Sequence, residues 1–293
     1  MPAVVPAANP VSTSAAFERR PGLGAWLFMT PLLVWLILFV VAPSILLIVY
    51  SFAERDVLGR VVFNFTWENY IRAFDWKWLK ILLDSIWYAF LTTIICMVVG
   101  FPVAWFIGRS PARYRNLLMT LVMIPFWTSF LIRTYAWITI LSRDGFLNAA
   151  LLAGGLINQP LVMMYTPFAV VLGLVYNYLP FMILPIYTSV EKLDNALVEA
   201  AYDLGAGPVR AFSKVIIPLT QPGIAAGALL VFVPAIAMFA ITTLMGGGAN
   251  PTIGEVIQKQ FTSARNQPFG AALGTLLLLL FFVSLWFTRS RRK

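Results

Sequence analysis

Glu191-Lys-Leu-Asp194-Asn-Ala-Leu197-Val-Glu199-Ala200-Ala201-Tyr-Asp-Leu204-Gly205-Ala-Gly-Pro208 runs on as Val209-Arg-Ala-Phe-Ser-Lys-Val215-Ile-Ile217-Pro218-Leu-Thr-Gln-Pro222, a charged island between long uncharged apolar segments. Leu193, Leu197, Ala200 or Ala201 and Leu204 fall at i, i+4, i+7 and i+11, so a helix here carries one narrow apolar stripe. Asp194, Asn195, Glu199, Tyr202 and Asp203 occupy the opposite face. Gly205 suits the left-handed residue that closes a helix, and Gly207-Pro208 then turns the chain. A second short helix is expected from Val209 to Val215, running to Pro218. Two short helices meeting at a glycine make a compact knob. Periodicity alone fits a plain connection between two spans as well as a docking element.

The flanks set the class. The chain of 293 residues is 60% hydrophobic and 11% charged, too little polar surface for a soluble domain of that length. It is therefore expected to be an all-α integral membrane protein. The net charge of +9 invites a nucleic-acid reading, but the basic residues sit in short clusters beside apolar spans, where they set orientation in a bilayer. The single Cys96 lies inside an apolar run, so there is no disulfide framework. With no His and no cluster of Cys or acids, no metal site and no resident cofactor are expected.

Taken in order, residues 1–24 are rich in Pro, Ala and Ser and read as a disordered tail. Residues 25–288 form the membrane domain. Trp26 to Tyr50 is too long for a signal-peptide core and is the first span, with Pro43 expected to bend it. Residues 53–84 hold Trp67, Tyr70, Phe74, Trp76 and Trp78 among charges, a pattern of interfacial helices with rings at headgroup level. Ser85–Gly108 is the second span and Leu117–Leu141 the third, with Arg133 the one charge inside a span. Phe126, Phe130, Arg133 and Trp137 repeat at helical spacing along it. The stretch from 145 to 164 is broken by Gly154-Gly155 and Asn158-Gln159-Pro160. It is too short to cross at about 20 residues per span, so it is an outer excursion. Pro167–Thr188, Gly223–Met245 (Pro234 at its centre) and Phe269–Phe287 complete six spans, and residues 289–293 are a basic tail.

Charge orients this arrangement. Arg109, Arg113 and Arg115, then Lys192, Arg210 and Lys214, then Arg289, Arg291, Arg292 and Lys293 lie on one side in dense short groups, with Arg19 and Arg20. That side is the cytoplasm by the positive-inside rule, so both termini and the 191–222 loop face inward.

The missing chemistry is informative. No Lys follows a Gly, so a phosphate-binding Gly-Lys-Ser/Thr loop is excluded. The spans hold no acid or His to carry a coupling proton, which counts against a self-sufficient channel or secondary carrier. A membrane enzyme would have almost no catalytic inventory. Gly223-x-x-x-Gly227 and Gly270-x-x-x-Gly274 allow close helix approach, and Pro180, Pro185 and Pro234 mark bends. Arg133 either lines a pathway, tethers a gate, or snorkels outward.

Glu199-Ala200-Ala201, three residues, Gly205, nine residues, then Val215-Ile216-Ile217-Pro218 resembles the EAA loop of permease subunits in binding-protein-dependent ABC importers. That family usually has Ile and Leu where Val215 and Ile217 stand. Leu131-Ile-Arg133-Thr-Tyr135-Ala-Trp137, Asp144-Gly-Phe-Leu-Asn148, Tyr178-Leu-Pro-Phe-Met-Ile-Leu-Pro185 and Pro268-Phe-Gly-Ala-Ala272 look like its spermidine/putrescine branch. The resemblance implies a type I ABC importer permease fold in the bacterial inner membrane. It also implies a second, unlike permease, two ATPase copies that bind the ATP, and a periplasmic substrate-binding protein. Leu197, Glu199, Ala200, Ala201, Leu204, Gly205 and Pro218 become the expected ATPase-coupling residues. A small organic cation, a polyamine above all, is the implied cargo, with opines, amino-acid derivatives and inorganic ions as alternatives. Trp127, Arg133, Tyr135, Trp137, Tyr176 and Tyr178 are the candidate pathway residues, the rings offering cation–π faces.

Overall fold

The computed structural model describes residues 23–56, 59–248 and 250–290, with side chains over 29–56, 59–248 and 250–283. The expected disordered tail lies outside these residues but for Leu23 and Gly24, and the basic tail lies outside them from residue 291. The chain divides into two units, residues 1–46 and 47–293.

Helix α1 (Leu23–Leu36) of the first unit passes through a π segment, Ile37–Val41, into α2 (Ala42–Ser51), whose residues from Leu47 on belong to the second unit. Pro43 lacks an N–H and its ring crowds the carbonyl four residues back; the wider π turn just before it accommodates both defects. Met29–Ser51 is long and apolar enough to cross a membrane.

After α2 the second unit has a two-strand antiparallel ribbon, β1 (Glu54–Arg55) and β2 (Val61–Val62), paired Glu54 to Val62 and Arg55 to Val61. Helix α3 (Glu68–Ala73) follows. Phe52, Phe65, Trp67 and Tyr70 gather with ring centroids 5.0–5.7 Å apart. Asn69 Nδ2 donates to the carbonyls of Ser51 and Ala53, closing the ribbon onto α3.

Helix α4 (Trp76–Arg109, 34 residues) begins nine residues before the expected second span. It packs with α8 (Pro167–Glu191) and α11 (Ile217–Ala237) to form the core. Ala89, Cys96 and Ala104 of α4, Leu174, Met182 and Ile186 of α8, and Val231 of α11 are buried. Small residues permit this approach. A Cβ at Gly100 would lie 3.3 Å from Met182 Cγ, and one at Gly227 would lie 2.8 Å from Met182 Sδ. Met182 is thus held between two glycines of the neighbouring helices, and Gly223 meets the Pro185 carbonyl and Ser189.

The expected third span is not one helix. After α5 (Ala112–Met123) comes a 3₁₀ turn, Ile124–Trp127, and the chain restarts as α6 (Phe130–Leu141), then α7 (Phe146–Ala153). The two halves, 112–127 and 130–153, meet at 86°. Pro125 stops α5, and Ser129 caps α6 by accepting from the Leu131 N–H. The 145–164 stretch does not form a span of its own. Asn148 ties it down, donating to Ser142 and Leu161 carbonyls and accepting from the Leu161 N–H.

After α9 (Asn195–Asp203) and α10 (Pro208–Ala211), a π segment, Phe212–Ile216, leads into α11. The expected short helix ending near Pro218 is therefore the start of one continuous helix, Pro208–Ala237, 30 residues long. The π turn immediately before Pro218 accommodates its missing N–H, as at Pro43. The fifth span also ends earlier than expected. It stops at Ala237, and α12 (Ala240–Gly246) is a separate turn. Met238 N–H bonds to Ala235 rather than to Pro234, and the freed Pro234 carbonyl accepts from Tyr178 OH at 3.3 Å. Then come α13 (Ile253–Phe261) and α14 (Gln267–Ser290). A Cβ at Gly270 would lie 2.9 Å from Gln260 Cβ, so α14 passes close to α13, whereas Gly274 has ordinary clearance.

Among the described residues four helices are long and apolar enough to cross a membrane, or up to five if the bent pair counts as one; α14 is a further, shorter apolar helix by its described side chains.

Candidate functional site

The knob at the start of the long helix is built by local rules. Asp194 Oδ1 accepts from the Ala196 N–H at 3.0 Å and caps α9. At the other end Ala206 N–H bonds to Ala201 O and Gly205 N–H to Tyr202 O, the double closure of a Schellman motif. Gly205 sits at φ +79°, and no atom would touch a Cβ there within 4 Å, so the glycine serves the backbone alone.

The knob's apolar stripe divides. Leu193 turns inward, whereas Leu204 is 88% exposed and Leu197 49%. Val209, at the start of α10, is 80% exposed. Glu199 and Ala200 are exposed and Ala201 half-buried, leaving low relief beside those larger apolar side chains. Pro218 lies nearby in sequence but on the outward side of the continuing helix. Exposed apolar residues carried on a capped, rigid turn are what a protein-docking surface requires.

The knob is fastened at its base. Arg115 Nη1 pairs with Glu191 Oε1 at 2.6 Å, and Arg115 Nη2 donates to the carbonyls of Gly108 and Ser110. Phe212 meets Phe101 edge-on at 5.3 Å, and Ala211 and Ile216 are buried. These contacts join the base of the knob to α4, α5 and α8. Sequence reading placed Arg115 only as an orienting charge; its partner Glu191 is 76 residues away.

The candidate pathway residues divide into groups. Arg133 lies over the rings of Phe126, at 5.1 Å, and Tyr176, at 5.9 Å, and Trp137 meets Tyr176 edge-on at 5.5 Å. Phe126 reaches Arg133 across the break in the span, not along one continuous helix face. Arg133 Nε and Nη1 have no hydrogen-bond partner among the described residues. Trp127 and Tyr135 are exposed, and Tyr178 is buried with its hydroxyl donating to the Pro234 carbonyl.

A further charged group, which the sequence reading did not single out, lies beyond the other end of α11. Glu255 is fully buried, with Oε1 at 2.6 Å from Lys259 Nζ. Among the described residues no three His, Cys, Asp or Glu gather into a metal-sized group.

A model of the binding-protein-dependent transport system inner membrane component family matches residues 100–292. The chain is 46% identical over 259 residues to the spermidine/putrescine transport system permease protein PotB of Escherichia coli K12, covering 88% of this chain and 94% of the relative. It is 44% identical to the PotB of Haemophilus influenzae, over 85% of this chain and 88% of that one. With the molybdenum transport system permease protein ModB of Azotobacter vinelandii it shares 26% identity, over 70% of this chain and 90% of that one. Among solved structures, a bacterial ABC transporter that imports the acidic polysaccharide alginate matches with a TM-score of 0.73 at 17% identity. The match covers 91% of this chain and 94% of that one, a likeness of fold.

Proposed function

Since this chain belongs to the binding-protein-dependent transport system inner membrane component family, as a multi-pass permease subunit of the inner membrane, we propose that it forms half of the pathway of an ABC importer for polyamines such as spermidine or putrescine. The cargo assignment is supported by the 46% identity to a spermidine/putrescine permease along nearly the whole chain.

The observation that carries the mechanism is the exposed, Schellman-capped knob. In this reading Leu197, Glu199, Ala200, Ala201, Leu204 and Gly205 seat in a groove of an ATPase subunit, which binds and hydrolyses the ATP. Pro218, in the continuing helix, belongs to the same coupling element. The second helix of the knob, α10, and the core helix α11 form one continuous rod from Pro208 to Ala237. A displacement at the ATPase therefore passes through the capped turn at Gly205 into this rod and along it to the membrane core. The Arg115–Glu191 pair carries the same displacement to α4 and α8. A second, unlike permease completes the pathway, two ATPase copies drive it, and a periplasmic protein delivers the cargo. The pathway residues proposed on this side are Trp127, Arg133, Tyr135, Trp137, Tyr176 and Tyr178.

Six crossings follow if the bent pair and α14 each cross, with both termini and the knob in the cytoplasm. Replacing Cys96 and introducing single cysteines at Gln159 and Arg210 tests this orientation with an impermeant thiol reagent. Labelling is expected at 159 in intact cells and at 210 only after lysis; the reverse inverts the topology. The cargo is tested by ligand binding to the cognate periplasmic protein, together with uptake by the reconstituted complex. Binding of spermidine or putrescine is expected. A protein that ignores polyamines and binds an anion ends the polyamine reading and turns attention to Arg133.

A further inference from the structure

Glu255 and Lys259 lie at the far end of α11 from the knob. The rod from Pro208 to Ala237 has 30 residues, about 45 Å at the usual helical rise, and α12 and α13 follow it. In the orientation proposed above this is the outer end, where cargo arrives. The N-terminus of α13 is seated in the break between α11 and α12. Thr252 Oγ1 bonds to the Met238 carbonyl and to Thr242 Oγ1, and the Ile253 N–H donates to Ser85 Oγ of α4 at 2.8 Å. Gly254 lies directly on the Ala237 carbonyl.

Within this seat Glu255 has no exposed surface, and its Oε2 has no hydrogen-bond partner among the described residues. Oε1 accepts from Lys259 Nζ at 2.6 Å, and the Lys259 side chain is 48% exposed. Lys259 therefore approaches from the open side, and the buried carboxylate keeps one oxygen in reserve. Gly248, at φ +78°, borders the pair: a Cβ there would lie 4.0 Å from both Glu255 Oε1 and Lys259 Nζ.

Among the described residues Lys259 is the one cation paired with Glu255, and a buried carboxylate stripped of its partner is strongly destabilised, so the entry of another cation favours the departure of Lys259. A carboxylate offers acceptor sites on both oxygens. An ammonium that enters as Lys259 swings toward its exposed side can therefore take up the carboxylate in the same exchange. The group that replaces a lysine head with the same charge and the same three N–H donors is another primary alkylammonium. We propose that Glu255 is a docking site for a primary alkylammonium group, and that Lys259 is the resident ammonium which the terminal ammonium of arriving cargo displaces. The identity of the cargo rests on the polyamine reading above; the exchange at Glu255 is a property of this chain.

The test uses the complete importer in lipid nanodiscs and in proteoliposomes. Lys259→Ala is expected to lower the unfolding temperature of the complex. Millimolar n-butylammonium should restore about half or more of that loss by binding the folded state. Tetramethylammonium, which has no N–H, should not, and Glu255→Gln/Lys259→Ala should show no rescue. In uptake, Glu255→Gln, which keeps the side-chain volume, should raise the half-saturating polyamine concentration about tenfold or more, the loss expected for a hydrogen bond to a charged group. Absent rescue, equal rescue by tetramethylammonium, or wild-type half-saturation in Glu255→Gln would each reduce the pair to a structural ion pair and overturn the proposal. If the wild-type complex takes up no polyamine, the cargo reading fails, yet butylammonium rescue of Lys259→Ala still reports on the exchange by itself.

Discussion

At the knob, Gly205 (φ +79°) turns a chain whose neighbours Leu204 and Val209 face outward; beyond the other end of α11, Gly247 (φ +61°) and Gly248 (φ +78°) turn a chain that then buries Thr252, Ile253, Gly254 and Glu255. Both ends use left-handed glycines to reverse direction after a helix. What surrounds the turn differs. A Cβ at Gly205 would meet nothing within 4 Å, whereas one at Gly247 would press on the Tyr165 ring and one at Gly254 on the Ala237 carbonyl. The turn at the knob is thus open to its surroundings, and the turn at the far end is packed against neighbouring backbone and side chains. The same substitution should therefore act on binding at one end and on folding at the other.

The largest effect is expected from Gly254→Val. A side chain there must displace the backbone at the end of α11, and overpacking of this kind costs about 3 kcal/mol or more. Low yield of folded protein and a reduced unfolding temperature in detergent should follow. Normal stability would mean that the seat of α13 is loose, and the contrast between the ends would collapse.

Gly205→Val comes next, at about 1–2 kcal/mol for forcing a side chain into left-handed geometry. Its stability change is the smaller, but uptake should be lost and the ATPase should no longer co-purify, while the protein inserts normally. Wild-type uptake would return the knob to a mere connection.

Leu204→Ser sharpens the point because the side chain is 88% exposed. Folding stability should move by less than about 0.5 kcal/mol, and ATPase affinity should fall by about fivefold or more, as for a contact residue. An equal loss of stability and affinity would show that Leu204 supports the knob instead of the interface.

The smallest effect on uptake is expected from Tyr178→Phe, which leaves the Pro234 carbonyl without its donor. A cost of about 1 kcal/mol in thermal unfolding is expected. If uptake falls much more than stability does, Tyr178 acts in the pathway as well as at the helix end.

Several of these features were legible in the residues. Gly205 was placed as a helix-closing glycine because a capped amphipathic turn leaves its mark within a dozen positions. Gly223 and Gly227 were legible as points of close approach, since small residues at four-residue spacing share a helix face. The break in the third span was not. Pro125 was visible, but Pro102, Pro180 and Pro185 lie inside helices that continue through them. A proline breaks a helix or merely bends it according to whether neighbours satisfy the backbone groups it frees. The early end of α11 also involves a distant residue, for Tyr178, 56 residues away, takes up the Pro234 carbonyl left free there.

Glu255 and Lys259 show where sequence reading stops. Four residues apart on an amphipathic helix, they look like an ordinary exposed ion pair. Composition, charge clustering and the capped pattern around Gly205 determined the membrane class, the expected orientation and the place of the knob, because bilayer hydrophobicity and helix caps act over short stretches of chain. The bent span, the continuous rod from Pro208 to Ala237, the Arg115–Glu191 strap and the burial of Glu255 were decided by tertiary structure alone. Each depends on which distant residue supplies a donor, an acceptor or a close contact, and local periodicity carries no record of that.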